Sequence, residues 1–162
     1  MLDKIYYILN LIKYNMGYLC PLCTIDPSNH SLVKLDEINN TVIFYSCPSS
    51  AKLYFDCDGI INHYDGILSE IPKTKKWVWI FDSYQFNFNH FMQINVGIQL
   101  AKLITDKFSE NLSNIIIINP TIYVTLTYNT LKPFLNEKIN QLIIFNNTYK
   151  NVTQILSETA FN

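Results

Sequence analysis

The chain has 162 residues, of which 49% are hydrophobic, 14% aromatic and 15% charged, enough apolar material for one core but not for two comfortable domains. Its 12 basic residues are all lysine and face 13 acids, for a net charge of -1. No basic surface therefore favours nucleic acid, no guanidinium is present to clamp a phosphate, low charge excludes extended disorder, and no apolar run approaches the roughly 18 residues of a membrane span.

In chain order, Leu2, Ile5, Leu9, Ile12 and Met16 recur at three- and four-residue spacing and predict an amphipathic N-terminal helix stopped by Gly17. Asp3, Lys4, Asn10 and Lys13 interrupt it, so it lacks the apolar run of a signal peptide, and core packing is the expectation. The expected location is the cytoplasm, including the periphery of membranes, and the four cysteines are expected as thiols. Residues 1–30 read as this helix and a loop packed on a domain of residues 31–162. Within the loop-rich stretch 18–40 a short strand is expected at Ser31 to Leu35, followed by a strand from Thr41 to Ser46 that Pro48 stops.

Ile60, Tyr64, Ile67, Leu68 and Ile71 share one face of a helix predicted over Gly59 to Ile71, ended by Pro72. Trp77 to Phe81 is apolar on both faces, as a covered central strand requires. A long, largely buried helix is expected from Phe88 to Lys107, with Asn95, Gln99, Lys102 and Asp106 gathered in one polar arc. Ser113 to Asn119 and Gln141 to Phe145 read as further strands, and strands alternating with helices argue for a mainly parallel sheet. Residues 121–132 alternate and are β-branched, so helix and strand stay equally open there on pattern alone.

Positive signs of catalysis are missing: there is no Gly-rich phosphate loop, Gly-x-Ser-x-Gly elbow or His-Glu-x-x-His pattern. The expectation is a protein that is not an enzyme and uses no cofactor. His63, Asp65, Asp56 and Asp58 cluster at a helix start, where acids cap and complement the dipole. Cys20-Pro21-Leu22-Cys23 has the spacing of a zinc knuckle, and Cys47, Cys57, His30 and His63 can offer further ligands. No second closely spaced pair follows it, so no metal site is expected. A redox pair would need a helix N-terminus after a strand, which this loop context does not support. Asp82, at the C-terminal end of a central strand, is followed by Ser83 to His90, rich in aromatics and amides, where α/β sheets place ligand contacts; helix capping by Asn87 or Asn89 is the alternative.

Trp77-Val78-Trp79-Ile80-Phe81-Asp82, the long helix, Lys107 to Leu112, Ile115-Ile116-Ile117-Ile118-Asn119-Pro120-Thr121 and Leu131-Lys132-Pro133-Phe134-Leu135 follow in an order that resembles the CRAL-TRIO lipid-binding family. The resemblance covers about residues 41–147. Its Pro-Thr form and short segment before Trp77 are similar to the divergent branch with BCH domains and the CRAL-TRIO modules of Rho GTPase-activating proteins. It implies an α/β fold with a mixed, mainly parallel sheet and helices on both faces. The sheet would floor an apolar cavity, with Ile122 to Lys138 as a mobile gate, helical in its first part.

The ligand-binding residues implied are Tyr84, Phe86, Phe88, Tyr123, Leu126 and Phe134 as lining, with Asn87, Asn89 and Thr121 at a polar end. Glu110 matches the glutamate with which the lipid-transfer branch reads phosphatidylinositol, whereas the lysine of that pattern falls on Gln141 or Leu142 and is absent. The expected partners are a lipid or other small hydrophobe, a transient membrane surface and a protein partner, with no nucleic acid. Two functions follow: binding, transfer or sensing of a hydrophobic ligand, or a protein-interaction module, for a small GTPase or regulatory partner, whose aromatics fill the cavity. A STAS-like regulatory domain is a third reading, which leaves the Asn-Pro-Thr and Lys-Pro-Phe-Leu positions without a role.

Overall fold

The computed structural model describes residues 18–148 together with 152, 154 and 155; the expected helix over residues 2–16 lies outside them. A short helix α1 (Pro21–Ile25) leads into an antiparallel hairpin of β1 (Val33–Ile38) and β2 (Thr41–Ser46). At its tip Asn39 and Asn40 hold φ of 47° and 64°, the left-handed pair that a two-residue turn needs to match the strand twist. Asparagine tolerates this conformation better than most side chains. Strand β1 thus begins two residues later than Ser31 and runs on to the turn, because the turn sets the register.

Next come α2 (Cys57–Ser69), β3 (Lys76–Asp82), α3 (Phe88–Met92), α4 (Ile94–Leu103), β4 (Leu112–Ile118), α5 (Ile122–Leu131), α6 (Glu137–Leu142) and β5 (Ile143–Asn146). The five strands lie in the sheet in chain order, and β2, β3, β4 and β5 pair in parallel. Each parallel strand adds on the same side of the one before, so right-handed crossovers carry the connecting helices over one face. Strand alternation then sorts the core. Val42, Phe44, Trp77, Trp79, Ile115 and Ile117 meet Ile60, Tyr64, Ile67 and Leu68 of α2, Val124 of α5 and Ile139 of α6. On the opposite face Ile43, Tyr45, Val78, Ile80 and Ile118 meet helical Val152 and Ile155. The expected mixed, mainly parallel sheet with helices on both faces is what forms.

Helix α2 follows its pattern: Asp56 caps it by accepting the Gly59 N–H at 3.2 Å, and Ile60, Tyr64, Ile67 and Leu68 are buried. Each such side chain contributes about 1.5–3 kcal/mol by leaving water. The single helix expected from Phe88 to Lys107 is instead two. Gln93, with φ -85° and ψ 38°, leaves the helical region between α3 and α4, and a π turn over Ile104–Phe108 follows α4. No proline or glycine marks the break, and the apolar period runs across it. The polar arc of Asn95, Gln99, Lys102 and Asp106 is exposed as expected, yet only Ala101 and Ile104 of the stretch are buried. The expectation of a largely buried helix fails: α3, set apart by the break at Gln93, leaves Phe88 and Met92 exposed. Gln141 and Leu142 end α6 and the last strand starts at Ile143, since Asn136 caps this short helix by accepting the Ile139 N–H at 2.8 Å.

Residues 122–131 are helical despite their β-branched side chains. Thr121 caps the helix through the Val124 N–H, and Thr125, Thr127 and Thr130 turn their hydroxyls onto carbonyls one turn back, at 3.2, 2.8 and 3.0 Å. Those internal bonds satisfy polar groups that would otherwise compete with the helix.

Candidate functional site

Between the helix-bearing face of the sheet and α2, α4 and α5 lies a cavity of about 160 Å³. Its floor is Trp79 and Phe81 of β3, Ile115 and Ile117 of β4, and Ile143 of β5. Ile60 and Tyr64 wall one side, Val96, Gly97, Leu100 and Ala101 the roof, and Val124, Thr127, Tyr128 and Leu131 the side formed by α5. These last four sit at spacings of three and four, one face of α5.

No lysine, aspartate or glutamate lines the cavity. Burial favours the neutral form of three lining groups: His30 and His90 are lowered from the ordinary histidine value, and the Tyr64 hydroxyl is pushed up to about 12. The cavity therefore suits an uncharged apolar occupant. Its size is that of a void able to hold one small ring, and is below the roughly 300 Å³ at which drug-sized ligand sites begin.

Of the residues expected to bind a ligand, Phe86 lines this cavity. Thr121 sits at its rim, where its hydroxyl donates to the Phe86 carbonyl at 2.9 Å and so ties the start of α5 to the loop before α3. Asn87 caps α3, its Oδ1 accepting the Asn89 backbone N–H at 2.9 Å and pairing with His90, so the Asn87 side chain is engaged in the cap. Tyr84, Phe88, Leu126 and Phe134 are exposed outside the cavity, and Tyr123 packs against Phe88 with ring centroids 6.2 Å apart. Glu110 lies in a groove of the opposite sheet face with Lys76, Asn114 and Ile116, so it does not converge with Phe86.

Tyr123 and Leu126 differ from Val124, Thr127 and Leu131 by one step of helical phase. Helix α5 carries polar and apolar residues mixed around its circumference, so composition does not reveal which face turns inward. The three-and-four spacing of Val96, Gly97, Leu100, Ala101 and Ile104 was the available signal for the roof.

At the C-terminal end of the central strands Asp82 is 1% exposed. It accepts from Tyr45 Oη and Asn119 Nδ2, each at 2.8 Å, and from the Tyr84 N–H at 3.0 Å. This buried carboxylate is saturated by neutral donors and serves to join β2, β3 and the β4 exit.

A second cluster sits beside the cavity. Cys20, Cys23, His30 and His63 are all buried, and their ligating atoms lie within 4.8 Å of one another. The absence of a second close pair in sequence had argued against a metal site; the fold assembles the second pair from two separate elements.

The model of the CRAL/TRIO domain matches residues 54–159. Among solved structures, the crystal structure of Sfh5 superposes with a TM-score of 0.58 at 11% identity, covering 83% of this chain and 51% of that one. This chain thus spans about half the length of that structure. No curated protein matches it in sequence. Among the described residues no helix is long and apolar enough to cross a membrane.

Proposed function

The chain belongs to the CRAL/TRIO domain family, and from that premise we propose that it binds, and transfers or senses, a small uncharged hydrophobe or a single acyl chain behind the gate of residues 122–138. What supports this reading is a partly open, largely apolar cavity with no lysine, aspartate or glutamate in its lining. Desolvation would supply the drive, about 0.8 kcal/mol per buried CH₂. At about 160 Å³ the cavity is too small for a whole phospholipid, so an acyl chain requires outward movement of α5. Ile122, Leu126, Phe88 and Met92 are exposed on α5 and α3, an apolar rim suited to transient contact with a membrane surface. Without arginine, and with Glu110 on the other sheet face, recognition of an inositol head group gains no support.

A protein-interaction module of the divergent BCH-like branch is the second reading, favoured by the same small volume. Native mass spectrometry of the purified chain, followed by organic extraction, tests the two. A stoichiometric lipid or apolar molecule supports the ligand-binding reading. An empty protein that also takes up no fluorescent lipid from phosphatidylcholine vesicles overturns it and moves the assignment to the interaction module.

A further inference from the structure

We propose that Cys20, Cys23, His30 and His63 form a structural zinc site that staples α1 and the start of β1 to the middle of α2. The four side chains come from three parts of the chain: the Cys-x-x-Cys turn around α1, the residue three before β1, and the buried face of α2. Exposure is 3%, 1%, 2% and 2% in chain order, so the set is closed to solvent and to substrates.

The distances fit a metal-centred tetrahedron. His30 Nδ1 lies 3.3 Å from Cys20 Sγ and 3.5 Å from Cys23 Sγ. Zinc bonds of about 2.3 Å to sulfur and 2.0–2.1 Å to nitrogen, at tetrahedral angles, place N and S about 3.6 Å apart. The 4.8 Å bound on the whole set exceeds the sulfur–sulfur edge of such a tetrahedron, about 3.8 Å, by about one ångström.

The surrounding bonds orient the ligands. His63 Nε2–H donates to the Leu32 carbonyl at 2.9 Å, which leaves Nδ1 as the lone-pair nitrogen, and that atom is buried with no hydrogen-bond partner. His30 Nε2 is likewise buried without a hydrogen bond, with Asp56 Oδ2 3.6 Å away. A histidine that ligates through one nitrogen and points the other at a carbonyl or carboxylate is the usual outer-shell arrangement of a zinc centre. The Cys23 N–H donates to Cys20 Sγ at 3.4 Å, which fixes the position of that sulfur at the start of α1.

Binding would release one proton from each thiol and none from the neutral imidazoles. The product, one Zn²⁺ with two thiolates, has no net charge, which is what an apolar enclosure admits most readily. Without metal His63 Nδ1 is left buried and unpaired, a cost that zinc removes. Two thiolates with two imidazoles and no open position suit zinc above harder divalent ions. Burial of both sulfurs disfavours a dithiol-exchange role, which needs an accessible thiolate.

The test uses the full chain purified at neutral pH without chelator. Mass spectrometry for metals should find one zinc per chain, released on titration with a mercurial. Reduced apoprotein given Co²⁺ should develop the visible bands of tetrahedral cobalt and a thiolate charge-transfer band. Cys23→Ser and His63→Asn should lose the metal, whereas Cys57→Ser should keep it. Should the ligand variants not fold, the wild-type cobalt spectrum decides alone. Substoichiometric zinc after refolding with the metal, together with a cobalt spectrum no different from the aquo ion, overturns the site.

Discussion

Leu131 of α5 sits directly against Gly97 of α4: a Cβ at position 97 would stand 3.0 Å from Leu131 Cδ1 and 3.2 Å from Cδ2. The missing side chain is what lets α5 approach α4 this closely, and both residues line the cavity. Gly97→Leu should push α5 outward at a cost of about 1–3 kcal/mol. Hydrogen exchange of amides 122–131 should then quicken selectively, while β3 and β4 stay protected. Unchanged exchange in α5 would show that the contact does not hold the gate.

Filling the cavity tests its use from the other side. Ala101 is 5% exposed and lines the roof, so Ala101→Leu places three carbons in the void. Stability should change by less than about 1.5 kcal/mol, since the added volume has somewhere to go. Benzene, followed through the methyl resonances of Ile115 and Val124, should bind the wild type and lose affinity for the variant. Equal binding by both proteins would place the ligand elsewhere.

The saturated carboxylate at the end of β3 gives a contrast between two variants. Asp82→Ala strands Tyr45 Oη and Asn119 Nδ2 without their acceptor and should cost about 3 kcal/mol in urea unfolding. Asp82→Asn keeps one oxygen, and the Tyr45 hydroxyl can turn to accept, so its cost should be nearer about 1 kcal/mol. A cost for Asn equal to that for Ala would point instead to a requirement for the negative charge.

His90 joins the cap of α3 to the cavity wall. Its Nδ1 faces the Asn87 N–H at 3.3 Å and Oδ1 at 3.0 Å, and its ring lies 5.2 Å from Phe86 and 4.6 Å from Tyr54. Burial lowers its pKa below the ordinary histidine value of 6.5. Just below that value the unfolded chain binds more protons than the folded one. The stabilisation is complete above 6.5, therefore, and is lost as the pH falls through the lowered folded value. Comparison of wild type with His90→Gln across this window cancels the contributions of His30 and His63. The stability difference should shift against the wild type as the pH falls; a pH-independent difference would remove His90 from the acid response.

Much of the architecture was legible because its causes are local. Strand β2 at Thr41–Ser46 and the two-sided apolar strand at Trp77 need only alternation or its absence, and α2 needs only a capping acid and a three-and-four stripe. The arc of Asn95, Gln99, Lys102 and Asp106 likewise faces water as its spacing requires. The hairpin turn at Asn39 and Asn40 was present in the sequence as two adjacent residues tolerant of positive φ.

By itself the sequence determined the mainly parallel α/β class, the central strands and the family to which residues 54–159 belong. Tertiary structure alone decided which face of α5 turns inward, since a helix with polar and apolar residues mixed on every side takes its phase from its cap at Thr121 and its contact with Gly97. It also decided that Glu110 and Phe86 lie on opposite faces of the sheet, a consequence of crossover handedness that no single segment encodes. The meeting of Cys20 and Cys23 with His30 and His63 is of the same kind. Spacing along the chain reports neighbours within one turn of a helix or one step of a strand, whereas residues 43 apart become ligands of one centre only when the hairpin and α2 pack on the same face.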